Sequence, residues 1–204
     1  MRPAVLLLGL LLGCSAPPRE NTRNAPAAAA APADRDPQSA YEPRSAPGDG
    51  QKYLARMVGD WEVAKTFHRR GGGEPAVTRG TCHQTMVQDG RFLQSGFVFE
   101  GEAGRSTGTG VIGFDPDTGR FTSFWIDSRS TRVSIRQSEA GFDGREIVLW
   151  SRTLGDENSA RRSRTVSTVD ADGQHMLHRQ FSVSPDGSEW LVMELALTRK
   201  TGKP

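Results

Sequence analysis

From residue 61 onward, turn chemistry recurs about every ten residues, and between the turns hydrophobic residues alternate with polar ones. The turns are Arg70-Gly71-Gly72-Gly73, Asp89-Gly90, Asp115-Pro116-Asp117-Thr118-Gly119, Asp143-Gly144, Asp172-Gly173 and Pro185-Asp186-Gly187. Gly supplies the positive φ and Asp or Pro shapes the reversal. Such short connections join antiparallel neighbours, because parallel crossovers need a dozen or more residues. The period of two predicts strands at 61–68, 76–88, 91–100, 105–114, 120–127, 131–139, 145–152, 163–170, 174–184 and 189–199.

The alternation assigns faces. In the last strand Leu191, Met193, Leu195 and Leu197 share the parity expected to face the core, and 91–100 puts Leu93, Phe97 and Phe99 on one side. Strand 120–127 sets Phe121 and Trp125 against Phe124 and Ile126, which predicts cover on both faces. Gly96, Gly108, Gly110 and Gly113 fall inside strand patterns, where glycine marks bends or close backbone approach. The single helix signal is Gln51 to Val58, apolar at 53, 54, 57 and 58 and stopped by Gly59. These features predict an all-β fold, an antiparallel up-and-down barrel of about ten strands behind a short N-terminal helix, since closure removes exposed edges. A two-sheet β-sandwich is the alternative.

The first 50 residues read differently. Hydrophobic residues make up 35% of the 204, below the roughly 45–50% of globular chains, and eight of the 12 prolines lie before residue 51. Arg2 and an apolar run from Val5 to Leu12 look like a secretory signal, too short for the roughly 20 residues of a membrane-spanning helix. Leu11-Leu12-Gly13-Cys14 resembles the lipobox of bacterial lipoproteins. That resemblance implies cleavage after residue 13, acylation of Cys14 and anchoring in a membrane; Ser15 implies the outer membrane facing the periplasm. Residues 14–50 then form the acylated end and a Pro/Ala-rich tether, unable to bury enough apolar surface to offset its ordering entropy. The predicted organisation is a signal at 1–13, a tether at 14–50 and a barrel at 51–204.

Within the barrel region, Gly59-Asp60-Trp61 resembles the Gly-x-Trp that opens the first strand of lipocalins and their calycin relatives. The resemblance implies that Arg199, near the end of the last strand, packs on Trp61 and caps the barrel floor. With Gly90-Arg91-Phe92-Leu93, Gly110-Val111-Ile112-Gly113-Phe114-Asp115 and Trp125-Ile126-Asp127-Ser128, the chain looks like the bacterial lipocalin-like family of unknown function DUF1579 over residues 51–199. That family implies a fold and no activity.

Trp125 and Asp127 share a face, so an interior Trp125 carries a carboxylate inward with it. Arg179 is in phase with Leu177, Phe181 and Val183; either it meets Asp127 inside the barrel, orienting a ligand among Phe97, Phe99 and Trp125, or both lie half-solvated at the rim. His175 and His178 are an odd offset apart on a strand, which separates them and argues against a shared metal. Related ten-stranded barrels bind haem through one histidine, which brings His68, His83 and His178 into view, but none stands in a distinguishing pattern; no metal, cofactor or catalytic residue is assigned. Cys82 reads as a packed thiol, and Arg161, Arg162 and Arg164, with Arg152, as a basic loop patch. A net charge of +2 excludes a strong nucleic-acid footprint. The expected function is a membrane-anchored envelope lipoprotein whose barrel binds a small, mainly apolar ligand. The alternative is a structural or assembly lipoprotein acting through protein contacts, with an enzyme or a haem binder ranked behind both.

Overall fold

The computed structural model describes residues 38, 41–42, 44–102, 104–152 and 162–201. Cys14, the signal and most of the tether lie outside the described residues. In the unit Met1–Pro43 the description covers one turn, in which the carbonyl of Gln38 accepts the backbone N–H groups of Tyr41 and Glu42.

In the unit Arg44–Pro204, a short helix α1 (Asp49–Ala55) leads into ten strands. These are β1 (Gly59–Phe67), β2 (Ala76–Val87), β3 (Phe92–Gly101), β4 (Gly104–Asp115), β5 (Arg120–Asp127), β6 (Ser130–Gln137), β7 (Ile147–Arg152), β8 (Arg162–Val169), β9 (His175–Val183) and β10 (Glu189–Arg199). Each strand pairs with the next, and β1 pairs with β10 from Trp61–Arg199 to Phe67–Met193, closing an antiparallel up-and-down barrel. That closing ladder excludes the sandwich.

With seven residues, α1 is too short to be stable alone and depends on what it buries. Tyr53 and Leu54, with Met57 just beyond, are buried against one end of the barrel, each contributing about 1.5–3 kcal/mol. Gln51 fixes the helix start: its Oε1 accepts the Gly48 N–H at 2.7 Å, and its Nε2 donates to the Phe114 carbonyl at 2.8 Å. The helix takes in Asp49 and Gly50, which composition assigns to the tether, because Gly50 lies directly under the Phe114 ring with no room for a Cβ. Val58, expected on the apolar face, is 36% exposed, since the helix ends at Ala55 and the chain has turned before reaching it.

The same end of the barrel is locked by Trp61 and Arg199. Trp61 is fully buried and donates its indole N–H to the Met57 carbonyl at 3.0 Å. The Arg199 guanidinium stacks over that indole, 4.2 Å from the ring centroid. Its Nε donates to the Gly173 carbonyl at 2.7 Å, Nη1 to Val58 at 2.5 Å and Nη2 to Arg56 at 2.8 Å. One side chain therefore joins β10, the exit of α1 and the turn between β8 and β9. Gly59 has a φ of 136°, and a Cβ there would run into Arg199 Nη1, so glycine is required twice over.

Two face assignments differ from the alternation. Phe124 and Ile126 are 39% and 44% exposed, so among the described residues β5 is covered on its inner face alone. In β10 the register shifts between Leu191, opposite Phe181, and Met193, opposite Gln180. This bulge at Val192 sends Leu191 to the outer face while Met193, Leu195 and Leu197 stay inside. Among the described residues the shortest ladder joins β6 to β7, at Ile135–Arg152, Arg136–Ser151 and Gln137–Trp150.

Arg199→Lys keeps the charge but cannot reach three carbonyls while covering the indole. Urea unfolding followed by tryptophan fluorescence is expected to show a loss of about 1–3 kcal/mol.

Candidate functional site

The inner face of the barrel surrounds a cavity of about 400 Å³. Leu54, Met57, Leu93, Ile147 and Leu197 border it near α1, and it extends to the opposite end, where Phe67, Asp127 and Arg129 border it. The inward parity of each strand supplies this lining.

An aromatic wall runs along β3 and β5. The rings of Phe97 and Phe99 stack with centroids 6.0 Å apart, and Phe97 meets Trp125 edge-on at 5.6 Å. Trp125 lies flat across β4 because Gly108 and Gly110 leave that strand bare: a Cβ on Gly108 would occupy the ring's position, and one on Gly110 would sit 3.3 Å from it. The indole N–H donates to Asp127 Oδ2 at 2.9 Å, and the Arg129 backbone N–H donates to Oδ1 at 2.8 Å. Burial opposes ionisation of Asp127, but these bonds, with that of the Ser130 N–H, hold its carboxyl below the usual range. Lys65 Nζ sits 3.6 Å over the Phe99 ring. Burial, aided by Arg129, lowers its pKa.

Deeper in, polar side chains replace the aromatics. His178, from β9, shares a hydrogen bond of 2.8 Å between Nδ1 and the Ser167 hydroxyl. Arg136, from β6, lies between Ser123 of β5 and Ser151 of β7 in the register, and its Nε is buried without a partner. Desolvation lowers its pKa, and its cation reinforces burial in holding His178 neutral, with a pKa pushed down to about 4.

A family model described as "Protein of unknown function (DUF1579)" matches residues 46–199. The chain belongs to the DUF1579 family. Among solved structures it is similar to the S-type phycobiliprotein lyase CPES from Guillardia theta, with 14% sequence identity, a TM-score of 0.49, and coverage of 76% of this chain and 94% of that one. No curated protein matches it.

In this DUF1579 protein, Phe97, Phe99, Trp125 and Asp127 all border the cavity, whereas Arg179 does not. Arg179 is corrected to the outer face, opposite Val166 and Glu194. The reason is register: Leu195 and Leu197 face inward, and the residues directly opposite them on β9 are His178 and Met176. The inward set of β9 is thus Met176, His178 and Gln180, while Leu177, Phe181 and Arg179 face out. Arg136 escaped sequence reasoning for the same reason. Val133 and Ile135 look like the buried parity of β6, yet the strand turns Ser134 and Arg136 inward, and the signal was the serine at 123 opposite a basic residue.

The remaining candidates are accounted for locally. Cys82 is buried opposite Trp61, its thiol pushed up to about 12 by burial and, less, by Asp60. His83 is exposed and 2.8 Å from Asp60 Oδ1. His68 Nε2 is buried without a partner. The basic patch is paired: Arg162 meets Glu139, and Arg164 Nε donates to Glu189 at 2.7 Å while stacking over Phe181. Arg161 and the side chain of Arg152 lie outside the described residues.

Neutral His178 makes stability depend on pH. Above the ordinary histidine pKa of about 6.5, the imidazole is neutral in both states. As pH falls from there to about 4, the unfolded chain takes up a proton that the barrel refuses, so stability is lost on acidification. In His178→Gln, the drop in unfolding free energy between pH 7 and about pH 4 is expected to be smaller than in the wild type by roughly 3 kcal/mol, read from urea melts.

Proposed function

We propose that this protein is a binding module of the bacterial envelope, whose barrel holds a small, mainly apolar molecule and whose acylated Cys14 anchors it to a membrane, at the outer membrane facing the periplasm. The observation that carries the binding reading is the cavity of about 400 Å³, walled by Phe97, Phe99, Trp125 and Leu149 with a few polar groups converging on it. Pockets of this size and lining are the usual sites of small ligands. The anchor rests on Leu11-Leu12-Gly13-Cys14. A cysteine carrying acyl chains stays on a membrane because each buried methylene contributes about 0.8 kcal/mol.

Titration with the neutral dye Nile red tests the pocket. A single saturable site is expected in the wild type and its loss in Ser134→Trp, where an indole projects into the space. Wild-type protein that shows no saturable signal, and that yields no extractable molecule by native mass spectrometry after purification from its host, overturns the reading. The anchor is checked separately: Cys14→Ala is expected to move the protein from the membrane fraction to the soluble one, and a mutant that still sediments with membranes places the anchor elsewhere.

A further inference from the structure

We infer that the molecule held in the barrel is an amphiphile whose anionic group, a carboxylate or a phosphate, seats against Arg136. The inference rests on the binding reading above and adds the charge of the ligand. It starts from a half-buried guanidinium that has no carboxylate against it among the described residues. Among the described residues Arg136 makes no ion pair, and its Nε is enclosed without a hydrogen-bond partner. A guanidinium taken out of water is expected to be paired, because desolvation of an uncompensated charge is costly.

Among the described residues, the groups that face it do not supply the missing charge. Across the sheet stand Ser123 and Ser151, with Ser134 next along the inner face of β6. From β9 come His178, which is neutral, and Gln180. The carboxylate on the cavity wall, Asp127, is already engaged by the Trp125 indole and the Arg129 backbone. Two further cations, Lys65 and Arg129, border the space, so among the described residues it holds three positive groups against one negative. An arginine fork flanked by serine hydroxyls matches the planar oxygens of a carboxylate or the several oxygens of a phosphate. Beside it, Phe97, Leu149 and Leu195 leave an apolar path for a hydrocarbon tail.

The test is displacement of bound Nile red by dodecanoate, dodecyl phosphate and methyl dodecanoate at neutral pH. In the wild type at least one anion is expected to displace the dye about tenfold more tightly than the neutral ester, as a charge-assisted bidentate contact provides. The preferred anion identifies the head group as carboxylate or phosphate. In Arg136→Met the preference is expected to shrink to about twofold or less while Nile red still binds, and Arg136→Lys is expected to keep part of it. Wild-type protein that binds Nile red without preferring either anion overturns the inference and leaves the binding reading intact. A preference that survives in Arg136→Met overturns it as well, assigning the anion to Lys65 or Arg129. Wild-type protein that neither binds Nile red nor yields an extractable molecule removes the reading and the inference together.

Discussion

A sheet that closes on itself must be fastened where its first and last strands meet, and here the fastening is one guanidinium. Arg199 ends β10 opposite Trp61 at the start of β1, covers that indole, and donates to the carbonyls of Arg56, Val58 and Gly173. Those carbonyls belong to the helix exit and to a neighbouring hairpin turn, so the floor and the seam share one support. Gly59 and the short helix are arranged around it. With that end sealed by Tyr53, Leu54, Met57 and Trp61, the space above is left free of main-chain filling.

What lines the cavity from floor to mouth is chemically mixed, and the mixture has an order. Aliphatic residues line the part near α1, aromatic rings the wall from β3 to β5, and Arg136 and His178 lie among serines on the side formed by β5 to β9. A core built only for stability would place aliphatic side chains there, since a buried charge without a partner is destabilising. Under the binding function proposed above, these polar groups serve what enters the barrel.

Most of the architecture was legible because it depends on local rules. Turn residues such as Asp115–Gly119 and Asp172-Gly173 mark reversals by backbone geometry, and the Gly59-Asp60-Trp61 motif with Arg199 marks the seam. The site was legible only where parity held. Trp125 and Asp127 were placed together by a simple count of two. Arg179 was misplaced because β9 carries large apolar residues on both faces, Leu177 and Phe181 outside and Met176 inside, so hydrophobicity alone does not reveal which side is in. Leu191 failed through the bulge at Val192, which shifts the count by one and leaves no mark in composition. Arg136 was hidden because its strand exposes Val133 and turns its arginine inward, the reverse of the usual pattern.

Among the described residues the ladder between β6 and β7 is the shortest around the barrel, which gives the described wall uneven rigidity. Arg136 stands on it, paired across to Ser151, while the ladder between β1 and β2 extends from Gly59–Gln84 to Phe67–Ala76. Segments with few backbone hydrogen bonds open at lower free energy than the whole molecule unfolds. Among the described residues, the inward guanidinium thus stands on the ladder with the fewest pairs. Under the binding function proposed above, filling the barrel with a counter-charge would tighten that stretch first, coupling occupancy to the stiffness of one side of the wall while the clamped floor stays as it was.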